Sequence, residues 1–245
     1  EELHQFHSII SHDLQEPLRK LHLFADLLHS HKCEATGEVL RKVTQQANRV
    51  RGLLLGLQEY VQLDNKALKL SPLELNAVVL MAKQKLLQQY PAAQLELELS
   101  SLPRVEGDLN QLVLLFYHLL ENSFKFRSAA ALRVRVEGVI LHQNQFKELK
   151  DQYQYTHHVK ISYTDNGIGF DPKYHDHIFQ LLKKVNRETE GQGVGLTICK
   201  KIVTNHKGSI EAIGEEGKGA CFTIFLPLQH ALLPQSEKAS LSAFG

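Results

Sequence analysis

Asp165-Asn166-Gly167-Ile168-Gly169-Phe170, set directly after a run that reads as a strand (Val159 to Tyr163), decides how this chain is understood. Two glycines at alternate positions let the backbone turn tightly and come close to a flat ligand. The aspartate at the strand end can accept a hydrogen bond from an exocyclic amine of the kind adenine carries. Alone, Asp-Asn-Gly is also an ordinary turn, so its meaning depends on its surroundings. Downstream, Gly191-Gln192-Gly193-Val194-Gly195-Leu196 opens a helix expected from Val194 to His206. Unpaired N–H groups and the positive end of the helix dipole make such a junction a ready phosphate site. A dinucleotide-binding unit would place an acidic residue about 20 positions on, at the end of a second parallel strand. Glu211 lies at that distance but inside its strand, and no Gly-Lys-Ser/Thr closes the loop as a P-loop requires.

Upstream, Leu119-Leu120-Glu121-Asn122-Ser123-Phe124-Lys125-Phe126 ends a strong helix expected over Asp108 to Phe126, with an aspartate at its start. Asn122 and Lys125 fall on one side of that helix. There an amide oxygen can ligate Mg²⁺, which takes few protein ligands and several phosphate oxygens. The lysine can neutralise phosphate charge. By itself, a polar pair on an amphipathic helix is usually just its solvated face. Around these segments the pattern predicts a short strand at Ala67 to Leu70, a helix at Leu73 to Gln88 and a half-buried strand at Leu95 to Leu99. Strands at Leu132 to Leu141 and Val159 to Tyr163 are joined by a polar insertion, and a last hairpin pairs Ser209 to Ile213 with Ala220 to Leu226. Strands and helices mixed in this order give an α+β layer sandwich. After about Gln229 periodicity is lost and a loose tail is expected.

The three segments, in this order, resemble the ATP-binding domain of the histidine kinase, gyrase, Hsp90 and MutL superfamily, the Bergerat fold. Asn122 matches that family's asparagine box, Asp165, Gly167 and Gly169 its first glycine box, and Gly191, Gly193, Gly195 and Leu196 its second. The resemblance implies that Asp165 binds the adenine amine, Asn122 holds Mg²⁺, Lys125 reaches phosphate and Phe126 lines the base pocket. It also implies a lid from Phe179 to Glu190, with Lys183, Lys184 and Arg187 near phosphate. Two positions depart from the pattern: His118 stands where histidine kinases often carry a second asparagine, and Leu182 where an aromatic is usual.

The amino-terminal part has a different grammar. Leu3, His7, Ile10, Leu14, Pro17, Leu21, Phe24 and Leu28 recur at spacings of four and three, as do Leu40, Val43, Ala47, Val50, Leu54, Leu57 and Val61 after a polar turn. A repeat of about 3.5 residues marks helices packed side by side. One hairpin leaves an apolar face uncovered, so a homodimeric four-helix bundle is expected, the alternative being a hairpin packed on its own ATP domain. His12 lies two residues past Ile10, about 200° around the helix, and so points away from that seam. Asp13 beside it can hold the proton of one imidazole nitrogen and leave the other nucleophilic. Pro17 is expected to kink the helix. Ser11-His12-Asp13-Leu14-Gln15-Glu16-Pro17-Leu18 resembles the H-box of histidine kinases, particularly those with PAS or phytochrome sensors. That resemblance makes His12 the phosphoacceptor. Glu16 replaces the threonine or asparagine that assists phosphatase action in many such families, so that activity is not implied.

Domain boundaries are expected at 1–66 (dimerisation and phosphoacceptor), 67–228 (ATP binding) and 229–245 (tail). The function expected is autophosphorylation of His12 from Mg²⁺-ATP, then transfer to an aspartate of a response-regulator receiver. The alternatives are a nucleotide-binding scaffold whose phosphotransfer has decayed and a non-kinase ATPase of the same superfamily. With 28 Lys+Arg against 27 Asp+Glu, the net charge of +1 offers no footprint for nucleic acid. None of the 14 histidines has a metal-finger spacing, and the three cysteines are far apart, which fits reduced thiols. No run reaches the about 18 apolar residues that span a bilayer. The start Glu1-Glu2-Leu3 reads as the edge of a cytoplasmic piece of a longer protein, with its sensor domain and any membrane tether outside it.

Overall fold

The computed structural model describes residues 2–29, 36–65, 67–128, 131–145, 154–175, 177–180 and 193–228. For residues 2–13, 36, 64–65, 142–145 and 154–156 the backbone alone is described. Two long helices come first, α1 (Glu2–His29) and α2 (Thr36–Asn65), packed on one another. Helix α1 continues through Pro17, which is buried. From Leu14 onward the expected seam holds: Leu14, Leu21, Phe24 and Leu28 are half-buried, while Leu18, Leu23 and Leu27 are exposed; the side chains of Leu3, His7 and Ile10 lie outside the described ones. Glu16 on α1 pairs with Lys20 at 2.7 Å and with Arg49 of α2 at 3.9 Å.

On α2 the expected seam needs correction. Val43, Val50 and Leu57 are half-buried, but Leu40, Ala47, Leu54 and Val61 are exposed, and the buried stripe is Val39, Leu53 and Leu63. The helix has two neighbours, α1 and the α/β layers, and Leu53 and Leu63 belong to the core of the latter.

Beyond α2, β1 (Leu70–Glu74) pairs antiparallel with β3 (Arg104–Asp108) in a small separate sheet. The strand expected at 67–70 therefore begins where it was expected to end, and β3 was not anticipated. Pro72 lacks a ladder donor and suits this two-stranded setting. Between them come α3 (Leu75–Gln89) and β2 (Leu95–Leu99). Helix α4 (Leu109–Lys125) leads to β4 (Leu132–Gln145) and β5 (Gln154–Asp165). What reads in sequence as a polar insertion partly extends both strands, whose pairing runs on to Gln145 opposite Gln154. Helix α5 (Gly195–Asn205), β6 (Ser209–Glu215) and β7 (Gly219–Pro227) complete the fold.

The main sheet has the order β2-β4-β5-β7-β6, with only β2 and β4 parallel. Period-two alternation turns Val134 and Val136, Val159, Ile161 and Tyr163, and Phe222, Ile224 and Leu226 inward. Their counterpart is the helical layer, in which Leu112, Leu115, Phe116, Leu119 and Leu120 of α4 are fully buried. The opposite side carries ion pairs such as Glu96–Arg133 and Glu98–Arg135. A two-layer α+β sandwich results, with α4 at its centre.

Asp108 fixes where α4 starts. Its Oδ1 accepts from the Gln111 N–H at 3.1 Å and its Oδ2 from the Lys69 N–H at 3.0 Å. Its own N–H donates to His206 Nε2 at 3.0 Å, and His206 Nδ1 faces the Ile202 carbonyl at 2.8 Å. The Asp108 side chain thus caps α4 and holds the chain just ahead of β1, while its backbone N–H meets the end of α5. Asp108→Ala should lower unfolding free energy by about 1–2 kcal/mol, whereas Asp108→Asn, also a good cap, should lose less. Urea denaturation of the two variants beside the parent checks the ranking.

Candidate nucleotide-binding site

Asp165 ends β5, and its carboxylate is buried beneath a cleft of about 820 Å³. Oδ1 accepts from the Gly167 N–H at 2.9 Å and the Ala220 N–H at 3.3 Å, and Oδ2 accepts from the Ser123 hydroxyl at 2.7 Å. Asn166 staples the turn to β4, accepting from the Arg133 N–H at 2.8 Å and donating to the Ala131 carbonyl at 2.9 Å. Ile168 N–H donates to the Phe126 carbonyl at 2.9 Å, so the glycine turn is tied to the end of α4. Gly169 has φ +66°, and a Cβ there would stand 2.0 Å from the Glu215 carbonyl oxygen. Both the left-handed backbone and the close approach demand glycine.

Asn122, Lys125, Phe126, Asp165, Gly169, Gly193, Gly195 and Leu196 all line this one cleft. Segments far apart in sequence are brought together there by the packing of α4 on α5 and by the β5–β7 pairing. Gly167 sits behind the lining, where a Cβ would meet the Phe126 oxygen at 2.7 Å. Gly191 lies outside the described residues, and so does the lid expected from Phe179 to Glu190 beyond its first two residues, of which Phe179 is buried. His12 and Asp13 stand on α1, but their side chains lie outside the description too.

Among the described residues the Asn122 amide makes no hydrogen bond, and it faces the cleft. A hard amide oxygen beside room for phosphate oxygens and water suits Mg²⁺, which is seldom caged by protein alone. Lys125 pairs with Glu121 at 2.9 Å. Glu121 Oε1 accepts from the hydroxyls of Tyr117 and Tyr90, each at 3.1 Å. Burial alone would raise the Glu121 pKa, but His118 and Lys125 outweigh it and bring it to about 2. Burial, with Glu121 next to it, pushes the Tyr117 phenol well up.

Helix α2 roofs the cleft, a contact that the alternative of a hairpin packed on its own ATP domain allows for without naming its residues. Gly52, Gly56, Glu59 and Gln62 all line it. His118 Nε2 lies 2.9 Å from Glu59 Oε2, while its Nδ1 is 3.8 Å from Glu121, too far for a hydrogen bond. Gly56 lets α2 settle on Val194, and Asn205 Nδ2 donates to the Leu63 carbonyl at 3.2 Å. His118 was readable as a departure from the usual asparagine. Glu59 carried no signal, because a glutamate on a helix of mixed polarity is unremarkable. Ser123 did carry one: a lone hydroxyl on the face of α4 that also holds Leu119 and Leu120.

Comparison with known proteins agrees with this geometry. Residues 107–230 match the histidine kinase-, DNA gyrase B- and HSP90-like ATPase family, and the chain belongs to it. Over 233 residues it is 29% identical to the phytochrome-like protein Cph1 of Synechocystis sp., covering 93% of this chain and 29% of that protein. Among solved structures, the Acinetobacter baumannii histidine kinase AdeS superposes with TM-score 0.57 at 20% identity, over 89% of this chain and 98% of that one. Full-length ShkA in complex with AMPPNP superposes with TM-score 0.56 at 21% identity, over 91% of this chain and 46% of that one. The alignments run through the helical pair as well as the α/β layers, so the likeness to sensor histidine kinases extends over nearly the whole chain. The chain spans about three tenths of the length of the phytochrome-type relatives that it matches. Among the described residues no helix is long and apolar enough to cross a membrane.

Desolvation disfavours the charged imidazole of His118, yet Glu121 and Glu59 outweigh it and hold its pKa above the ordinary 6.5. A raised folded-state value means the ion pair with Glu59 contributes fully below about pH 6.5 and is lost as pH climbs through the raised value. The groups facing His118 are Glu59 from α2, Glu121 on its own helix and the Tyr117 ring, with Lys125 behind Glu121. The melting temperature of Glu59→Gln should fall furthest below the parent's near pH 6, and the gap should close toward pH 9 (both about). Calorimetric melts of the two proteins across that range check it.

Proposed function

We propose that this chain autophosphorylates on His12 from Mg²⁺-ATP and passes the phosphoryl group to an aspartate of a response-regulator receiver. The observation that carries the reading is the convergence of Asp165, Asn122, Lys125 and the glycines on one cleft, in a chain whose α1 bears His12. Asp165 accepts from the adenine amine. Phe126 and Leu196 line the pocket for base and ribose. Gly193 and Gly195, at the amino end of α5, turn backbone N–H groups toward phosphate. Lys125 neutralises phosphate charge, and Asn122 is the ligand for Mg²⁺, whose chemistry is to offset charge on the transferring group. Gly191 joins the same phosphate turn, and Gly167 keeps Asp165 in place.

On α1 the neutral His12 imidazole attacks the γ-phosphorus and Asp13 holds the proton of its other nitrogen. Rate comes chiefly from positioning and charge neutralisation. In this reading residues 1–66 are the dimerisation and phosphoacceptor part, 67–228 bind ATP and 229–245 are a tail. A second copy covers the exposed Leu18, Leu54 and Val61 in a homodimeric four-helix bundle. The protein acts in the cytoplasm, downstream of a sensor domain in the full-length protein.

Incubation with γ-labelled ATP should yield an acid-labile, alkali-stable phosphoprotein. His12→Gln should abolish the label while leaving ADP affinity within about twofold, a difference of some 0.4 kcal/mol. Label retained in that variant would overturn the assignment. One observation favours a second reading, a nucleotide-binding scaffold with weakened phosphotransfer. His118, which replaces the usual asparagine, is turned to Glu59 on α2. Tight ADP binding with no label at any pH would select that reading.

A further inference from the structure

Ser123 sits in the interior of α4, where a serine hydroxyl ordinarily bonds back to the carbonyl one turn earlier. Here it is turned out of the helix instead. Its oxygen lies 2.7 Å from Asp165 Oδ2, to which it donates, and 3.0 Å from the Tyr163 hydroxyl. A hydroxyl has one proton. With that proton given to Asp165, the Tyr163 O–H must be the donor to Ser123. Desolvation holds the fully buried Tyr163 phenol well above its ordinary pKa, so it keeps the proton it donates.

We propose that Tyr163 and Ser123 form a one-way hydrogen-bond relay that sets the plane of the Asp165 carboxylate, making them positioning residues for selection of adenine over guanine. The inference rests on the reading of Asp165 as the adenine acceptor. A carboxylate offers about four lone-pair sites. Gly167, Ala220 and Ser123 occupy three of them. What remains for the cleft is an acceptor in a fixed direction. The exocyclic amine of adenine satisfies it, whereas the carbonyl of guanine at the same place meets another acceptor. Tyr163 touches neither base nor carboxylate; it acts by keeping the Ser123 hydroxyl from relapsing onto its own helix.

Both test variants remove a single oxygen and leave the packed volume nearly intact. Titration calorimetry of the whole chain with Mg²⁺-ADP and Mg²⁺-GDP reads the effect. Ser123→Ala should weaken ADP at least about tenfold, the value of one charge-assisted hydrogen bond, and leave GDP within about twofold. Tyr163→Phe should weaken ADP about threefold in the parent and produce no further change in the Ser123→Ala background, because it works only through Ser123. A merely structural tyrosine would lower both nucleotides alike and would do so in both backgrounds, which overturns the relay. An ADP-to-GDP ratio unchanged in Ser123→Ala overturns it as well, and decides the matter alone if Tyr163→Phe does not fold. Asp165→Asn separates the two levels of inference. If it abolishes ADP selectivity while the relay variants do nothing, only the relay fails. If it too leaves ADP and GDP affinities unchanged, the adenine assignment fails with it.

Discussion

A buried carboxylate cannot stand without donors, and the demand of Asp165 for them organises this molecule. One oxygen draws in the N–H groups of Gly167 and Ala220, and the other the hydroxyl of Ser123. Those donors come from a glycine turn, a sheet strand and the central helix, so satisfying one charge joins three separate elements. Leaving such a charge uncompensated costs about 3–5 kcal/mol. The requirement also explains the local backbone. The turn after β5 must fold back on the carboxylate, which brings Ile168 onto the Phe126 carbonyl and leaves no space for a side chain at Gly167.

From that anchor the rest of the cleft follows by packing. Helix α4 presents a buried apolar side to the sheet and its last turn, with Asn122 and Lys125, to the opening. Helix α5 lies against α4 and starts at the same opening, so its unpaired N–H groups share the space with Lys125. Helix α2 closes the far side through the His118–Glu59 pair, Gly56 on Val194 and Asn205 on the Leu63 carbonyl. That seam joins these polar contacts to the buried Leu53 and Leu63. A helix that bears on the nucleotide cleft through a titratable pair links the helical hairpin to the site.

Much of this was legible beforehand because it is local. Periodicity placed α3, α4 and α5 within a few residues, and Asp108 was read as the start of α4. The two glycine boxes and Asn122 are legible from their order along the chain, and the described members line one cleft, apart from Gly167 just behind it. The errors share a cause. Strand β3, with Val105 as its apolar inward residue, exists because β1 pairs with it, and the extensions of β4 and β5 exist because each completes the other's ladder. The seam of α2 is right at Val43, Val50 and Leu57 and misses Val39, Leu53 and Leu63 for the same reason: a helix with two neighbours buries the face that both can reach, and its own apolar spacing does not record the second.

By itself, then, the sequence determined the α+β class, the helical pair, and which residue types could meet a nucleotide, since amphipathic spacing, helix caps and glycine turns are properties of consecutive residues. Only the tertiary structure decided that Ser123 serves Asp165 with Tyr163 behind it, that Glu59 reaches His118, and that α2 forms a wall of the cleft. Those are contacts between side chains about 40 to 60 positions apart. Their partners are chosen by how layers stack and which buried polar groups must be satisfied, and no run of neighbouring residues carries that information.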